Sequence, residues 1–125
     1  MTQNPPDYTD GLGELIRAYR TYMGISTRVL AQRVGMSERS LSDIEIDRRS
    51  CPPGLITSII EVVEQFETDV QATIDLGRGR LNVSADPDGV WERAVIGRAA
   101  VESGSITPIL VGNKRELVNG GWDRP

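Results

Sequence analysis

The sequence predicts a mainly α-helical protein, α+β overall, with a small strand–helix–strand appendage, and three observations lead there. Apolar residues recur at helical spacing from Leu12 to Ile74. Inside that stretch, Ser26 and Ser37 stand where helices would begin, and Gly35 stands where one would end. Beyond Gly77 the pattern changes: Leu81-Asn82-Val83-Ser84 alternates apolar with polar, a helical run follows, and Ile106 to Val111 reads as a second strand.

Taken in order, residues 1–10 are polar, hold Pro5 and Pro6, and are expected to be mobile. The first helix begins near Leu12 and runs to Met23, with Leu12, Leu15, Ile16, Tyr19 and Met23 as its core stripe. Ser26 caps the second helix, whose buried face is Leu30, Ala31 and Val34. Gly35 supplies the left-handed residue that ends it, and Met36 enters the turn. Ser37 caps the third helix. Leu41 and Ile44 are its inner face, and Glu38, Arg39, Ser40, Ser42 and Asp43 point to solvent. That is the plan of a helix-turn-helix, whose second helix can lie in a DNA major groove.

A loop from Ile46 to Pro53 follows, carrying Arg48 and Arg49, and Pro52-Pro53 leads into the next helix. Its apolar residues run from Leu55 through Phe66 to Ile74, as one long helix or as two with a break near Glu67-Thr68. Gly77-Arg78-Gly79 makes a hinge-like turn. Asp86-Pro87 caps a helix that passes through Trp91 and Val95 to Gly104. Pro108 marks the second strand as an edge strand. The expected layout is therefore a flexible segment 1–10, a domain 11–76 with an extended last helix, a β-α-β appendage 77–111 that serves dimerisation, and a tail 112–125. Trp91 and Trp122 are read as core or interface residues.

Composition narrows the function. A chain of 125 residues with 38% hydrophobic and 26% charged residues fits one ordinary domain, or a small one with an appendage. No apolar run approaches the ~20 residues of a membrane span, and the start lacks the basic-then-apolar order of a signal peptide. A cytoplasmic protein is expected. Cys51 is the only cysteine, so no internal disulfide can form, and a buried apolar role is expected for it. There is no histidine, which removes most zinc sites, the usual catalytic triads and imidazole acid–base chemistry. No metal, cofactor, small-molecule effector or enzymatic activity is expected.

The net charge of −4 is unusual for a nucleic-acid binder, but its distribution is uneven. Between Arg17 and Arg49 there are seven arginines against four acids, a local +3, and the remaining acids lie elsewhere. Local positive charge is what engages phosphates.

In these residues the chain resembles the Cro/repressor-type (XRE-like) helix-turn-helix family. The resemblance covers Leu12 to Phe66, about half the chain. It rests on a basic amphipathic first helix (Leu15, Ile16, Arg17, Tyr19, Arg20) ending at Gly24, the Leu30-Ala31 pair, the Gly35-Met36-Ser37 turn, and the Ile44-Glu45 end of the recognition helix. Pro52 and Leu55 match the proline and final helix that follow. It implies a five-helix-type DNA-binding domain, in which Glu38, Arg39 and Asp43 read base edges. It also implies an ion pair between Arg20 and Glu45 that ties the first helix to the third. At position 47 the family usually has glycine where this chain has Asp47, and at position 27 it often has glutamine where this chain has Thr27. In order and length the whole also resembles phage anti-CRISPR-associated autorepressors, which join such a domain to a small C-terminal dimerisation module.

Each expected contact has a chemical reason. The Arg39 fork can span O6 and N7 of guanine, and Glu38 and Asp43 can accept from cytosine N4. Thr27 and Arg28, at a helix N-terminus, together with Ser40, Ser42, Arg48 and Arg49, are placed for phosphate oxygens. The expected function is a sequence-specific transcriptional regulator, a homodimeric repressor of phage or bacterial type on a palindromic double-stranded operator. The alternative is a protein-interaction module, antitoxin-like or a phage adaptor, that keeps the fold with little DNA affinity of its own.

Overall fold

The computed structural model describes residues 9–112. The readings made for residues 1–8 and for the tail with Trp122 lie outside them. The described elements are five α-helices and two strands: α1 (Gly13–Met23), α2 (Thr27–Val34), α3 (Glu38–Glu45), α4 (Leu55–Leu76), β1 (Gly79–Ser84), α5 (Val90–Ser103) and β2 (Ile106–Val111). The chain is mainly α with a small β appendage. It divides into two compact units, the first ending at Asp69 and the second beginning at Val70.

In the first unit the two short helices are bounded as serine and glycine chemistry dictates. Ser26 Oγ accepts from the Val29 N–H at 3.2 Å, and Ser37 Oγ accepts from the Ser40 N–H at 3.1 Å. Each bond satisfies one of the amides a helix start leaves without a partner. Gly35 takes φ 77°, and the Met36 N–H reaches back to the Ala31 carbonyl at 3.0 Å. A side chain at position 35 would be strained there, so the turn needs its glycine.

The core of this unit is Ile16, Met23, Ile25, Leu30, Ala31, Leu41, Ile44, Cys51, Leu55, Ile59, Val62 and Phe66, all buried. Leu15, expected in the core stripe of α1, is exposed, while Leu12 and Tyr19 are half-buried. At about 100° per residue, Leu15 lies a quarter-turn away from the Ile16–Met23 line that faces the core. Tyr22, also on α1, packs edge-on against Phe66 with ring centroids 6.5 Å apart, and its hydroxyl donates to Glu67 at 2.7 Å. Thr9 and Asp10, at the end of the segment expected to be mobile, are tied to the loop before α4. Thr9 and Cys51 exchange backbone bonds of 2.9 and 2.8 Å, and the Ser50 hydroxyl donates to Asp10.

α4 is one uninterrupted helix of 22 residues with no break at Glu67-Thr68. It contains neither proline nor glycine, a side-chain bond from Gln65 to Asp69 spans that point, and one from Gln71 to Asp75 follows in the next turn. Among the described residues no helix is long and apolar enough to cross a membrane.

The second unit is a β-α-β arrangement. β1 and β2 pair in parallel, with Gly79 opposite Ile106 and Ser84 opposite Val111. A parallel pair needs a crossover, and α5 provides it. The strand starts two residues before Leu81, because the Gly79 N–H already donates to the Ser105 carbonyl at 2.9 Å. Asp86 accepts from the Asp88 N–H at 3.0 Å and opens a single 3-10 turn, Pro87–Gly89, ahead of α5. Trp91, Val95 and Ala99 form the buried line of that helix, with Val70, Val83 and Ile106 buried in the same unit.

One close approach fixes the geometry of the first unit. Gly13, at the start of α1, lies against the end of α3, where a β-carbon would fall on the Glu45 carbonyl and 2.5 Å from that of Ile44. Only a residue without a side chain fits. Alanine is ordinarily better than glycine in a helix by about 1 kcal/mol, yet Gly13→Ala is expected to destabilise the protein by about 1–3 kcal/mol through overpacking. Denaturant unfolding of the two proteins checks this.

Candidate nucleic-acid interface

α3 presents its polar residues on the side opposite Leu41 and Ile44. At 100° per residue, Arg39 lies opposite that buried pair, with Ser42 and Asp43 equally far round on either side of it and Glu38 beyond Ser42. Glu38 and Arg39 are exposed, while Ser40, Ser42 and Asp43 are half-buried. The Arg39 guanidinium has no hydrogen-bond or ion-pair partner among the described residues. It is held out on a capped helix with its donors unengaged.

Asp43 is less open than its place on that side implies. Its side chain is 19% exposed, and Arg48 approaches it at 3.9 Å. The loop folds back over the end of the helix, because the Arg48 and Arg49 N–H groups both donate to the Asp43 carbonyl, at 2.7 and 3.2 Å. The same fold-back brings Arg49 to the start of α3, where its Nη1 donates to Ser40 Oγ at 3.1 Å. Ser37 donates to that oxygen as well, at 2.9 Å. A chain of polar contacts thus runs from the loop guanidinium to the cap of α3. Thr27 and Arg28 lie in the first turn of α2, beside the Ser26 cap, Thr27 half-buried and Arg28 exposed. Arg48 stays 69% exposed despite its contact with Asp43.

Arg20 and Arg33 are drawn toward acidic residues of the same unit. Arg20 Nε donates to Glu45 Oε2 at 2.8 Å, its Nη2 to Oε1 at 3.1 Å, and its Nη1 to the Ile25 carbonyl at 3.1 Å. The bidentate pair joins α1 to the end of α3, and the side chains are only 19% and 8% exposed. Arg33 is drawn in another way: burial lowers its pKa from the ordinary arginine value, and the charge of Asp69 opposes that shift. Burial also pushes the Cys51 thiol up, which leaves it protonated and inert. Among the described residues no cluster of His, Cys, Asp and Glu is placed to hold a metal ion.

Residues 11–71 match the family model of a helix-turn-helix domain. The match covers just under half of the chain, and the two short helices and the turn within it have the helix-turn-helix arrangement. The motif is α2, the Gly35-Met36-Ser37 turn and α3, which stands second, in the place of the recognition helix in such motifs. Such domains are of a DNA-binding, non-enzymatic kind. Comparison with curated proteins gives no match.

One residue of the helix-turn-helix domain has a role that no motif announces. Asp47 follows the recognition helix with φ 61°, the left-handed conformation in which glycine is favoured. Its Oδ1 accepts from the Gly13 N–H at 3.3 Å. Leu12 offers α1 no side-chain cap, so the carboxylate arriving from the far end of the motif takes that place. The Asp47 charge is therefore turned partly toward the α1 terminus. The sole sequence signal was an aspartate at a glycine-like position, and its partner lies 34 residues away.

Glu45→Ala would leave the Arg20 guanidinium half-buried without its carboxylate partner. A loss of about 2–4 kcal/mol is expected for breaking such a pair, with the base preference of any bound DNA unchanged. Thermal unfolding reads the first quantity and competition binding the second.

Proposed function

We propose that the protein is a sequence-specific DNA-binding transcriptional regulator, a homodimeric repressor of the Cro/repressor type acting on a palindromic operator. The observation that carries this reading is Arg39, exposed on the outer ridge of the recognition helix with no partner for its guanidinium among the described residues. An arginine there can bridge O6 and N7 of a guanine, the commonest specific contact in a major groove. Glu38, exposed beside it, can accept from cytosine N4. Asp43 is the more restricted base reader, reaching an edge only when Arg48 moves aside.

Around this ridge lie the groups that hold a sugar-phosphate backbone. Thr27 and Arg28 offer a hydroxyl, a cation and the amides of the α2 terminus. Ser40, Ser42, Arg48 and Arg49 do the same along the recognition helix and the loop after it. Arg49 is already steered to the helix start by Ser40, which lowers the entropy it loses on meeting a phosphate. One such domain touches few bases. Two copies on a two-fold site place recognition helices about one DNA turn apart, ~34 Å, and double the readout. Occupying a promoter suffices for repression, and no chemistry is required. The layout of a helix-turn-helix domain followed by a small β-α-β unit is the order expected of phage autorepressors of the anti-CRISPR-associated kind.

The acidic total and the Asp43 carboxylate on the ridge support a second reading, an interaction module that binds protein instead of DNA. Selection of bound sequences from a random duplex pool at two salt concentrations separates the two. A two-fold symmetric motif establishes the regulator, and failure to enrich any sequence establishes the module.

Arg39→Ala is expected to weaken binding by about 1–3 kcal/mol and to relax preference at one base pair per half-site. Unchanged discrimination in a competition assay would remove Arg39 from the readout. Arg48→Ala and Arg49→Ala should instead weaken binding to all sequences alike. Each should lower the slope of log K against log salt by about one, as fluorescence anisotropy over a salt series would report.

A further inference from the structure

Among the described residues the sheet of the second unit has two strands, paired in parallel. Sheets of that size are marginal alone, and parallel strands are normally found well inside larger sheets. Two backbone bonds settle which edge is open to extension. Gly79 donates to Ser105 and Ala85 donates to Val111, both at 2.9 Å. In a parallel ladder, a residue that bonds its neighbour does so with both N–H and C=O, and the residues on either side of it point theirs the other way. Residues 79, 81, 83 and 85 therefore face β2, and Arg80, Asn82 and Ser84 turn their backbone groups outward. By the same alternation Ile106, Pro108 and Leu110 face away from β1.

The two edges are unequal. Pro108 has no N–H, so the outer edge of β2 lacks its central donor, which is how edge strands are commonly blunted. The outer edge of β1 has no proline. Arg80, Asn82 and Ser84 are exposed there. Among the described residues the one group bonded to the outward backbone of that edge is the Arg93 guanidinium, on the Ser84 carbonyl at 2.9 Å. A carbonyl has a second lone pair and can still accept an N–H.

We propose that β1 pairs antiparallel with β1 of a second copy of the chain, with Asn82 opposite Asn82 of the partner subunit, giving a continuous four-stranded sheet across the two-fold axis. This rests on the two-copy reading above and assigns the surface that joins the copies. The register follows from two constraints. Outward-facing residues must oppose outward-facing residues, and like charges must not meet across the pair. Centring the axis on Arg80 sets two guanidinium groups face to face. Moving it one step along leaves them as diagonal neighbours. With Asn82 at the centre, Arg80 faces Ser84 of the partner subunit, and the two arginines are offset by about 14 Å along the strands at ~3.4 Å per residue. Every outward N–H and C=O of Arg80, Asn82 and Ser84 then finds a partner, and the two central amides can bond each other.

The test uses the full chain. Opposed residues of a hydrogen-bonded antiparallel pair have α-carbons about 5.5 Å apart, within disulfide range. Asn82→Cys is expected to cross-link with itself under mild oxidation. Arg80→Cys alone should not, and a mixture of Arg80→Cys with Ser84→Cys should give the mixed product. The parent chain, whose Cys51 is buried, is the control and should remain uncross-linked. Sedimentation equilibrium of the parent chain is measured alongside. A dimer mass with this cross-linking pattern supports the proposal. A dimer mass without the Asn82→Cys product overturns the strand pairing and leaves the homodimer intact on another surface. A monomer mass at the concentrations where DNA is bound overturns both.

Discussion

The helix-turn-helix unit depends on how the end of α3 is fixed against α1. The Arg20–Glu45 pair does this with two parallel bonds of 2.8 and 3.1 Å, and a third bond from Arg20 ties in the Ile25 carbonyl after α1. A pair this sheltered gains less net stability than its geometry suggests, because desolvating both ions is costly. What it supplies is position. The recognition helix has only eight residues, too few to hold its shape or direction alone. Its orientation comes from Leu41 and Ile44 in the core, from Glu45 held by Arg20, and from Gly13 pressed against its last carbonyls. Asp47 closes the arrangement from the other side by accepting the Gly13 N–H.

With the helix so fixed, the charges around it divide by task. Arg20 and Arg33 are engaged within the unit, with Glu45 and under the influence of Asp69. Arg48 and Arg49 are steered by the recognition helix itself, one toward Asp43 and the other toward Ser40. Arg39 alone on that helix is a cation held outward without a described partner. The net −4 of the chain therefore does not describe the field a phosphate backbone would meet at α3. An acidic total of this size would reduce nonspecific attraction at long range and place more of the proposed DNA binding on groups at the contact surface.

The second unit follows a different logic. Its core is small, built on Trp91, Val95 and Ala99 of α5 against Val83 and Ile106 of the strands. Pro108 closes one side of the sheet to further strands, while the β1 side retains its donors and acceptors. A unit of this kind gains most from being completed by another strand.

Much of this was determined by the sequence alone. The serines at 26 and 37 and the glycine at 35 bounded the motif helices, because capping and left-handed geometry are local chemistry. Periodicity located the long helix and both strands for the same reason, and the ridge carrying Arg39 followed from helical spacing. The tertiary structure alone decided what depends on distant neighbours. Nothing local distinguishes the exposed Leu15 from the buried Ile16. Nothing local shows that Asp43 is partly covered by the returning loop, or that Asp47 serves the start of α1. The parallel sense of the two strands, and with it the side of β1 left open, was likewise fixed only when α5 carried the chain back across the sheet. Spacing along a chain encodes which face a residue occupies, and only folding decides what that face meets.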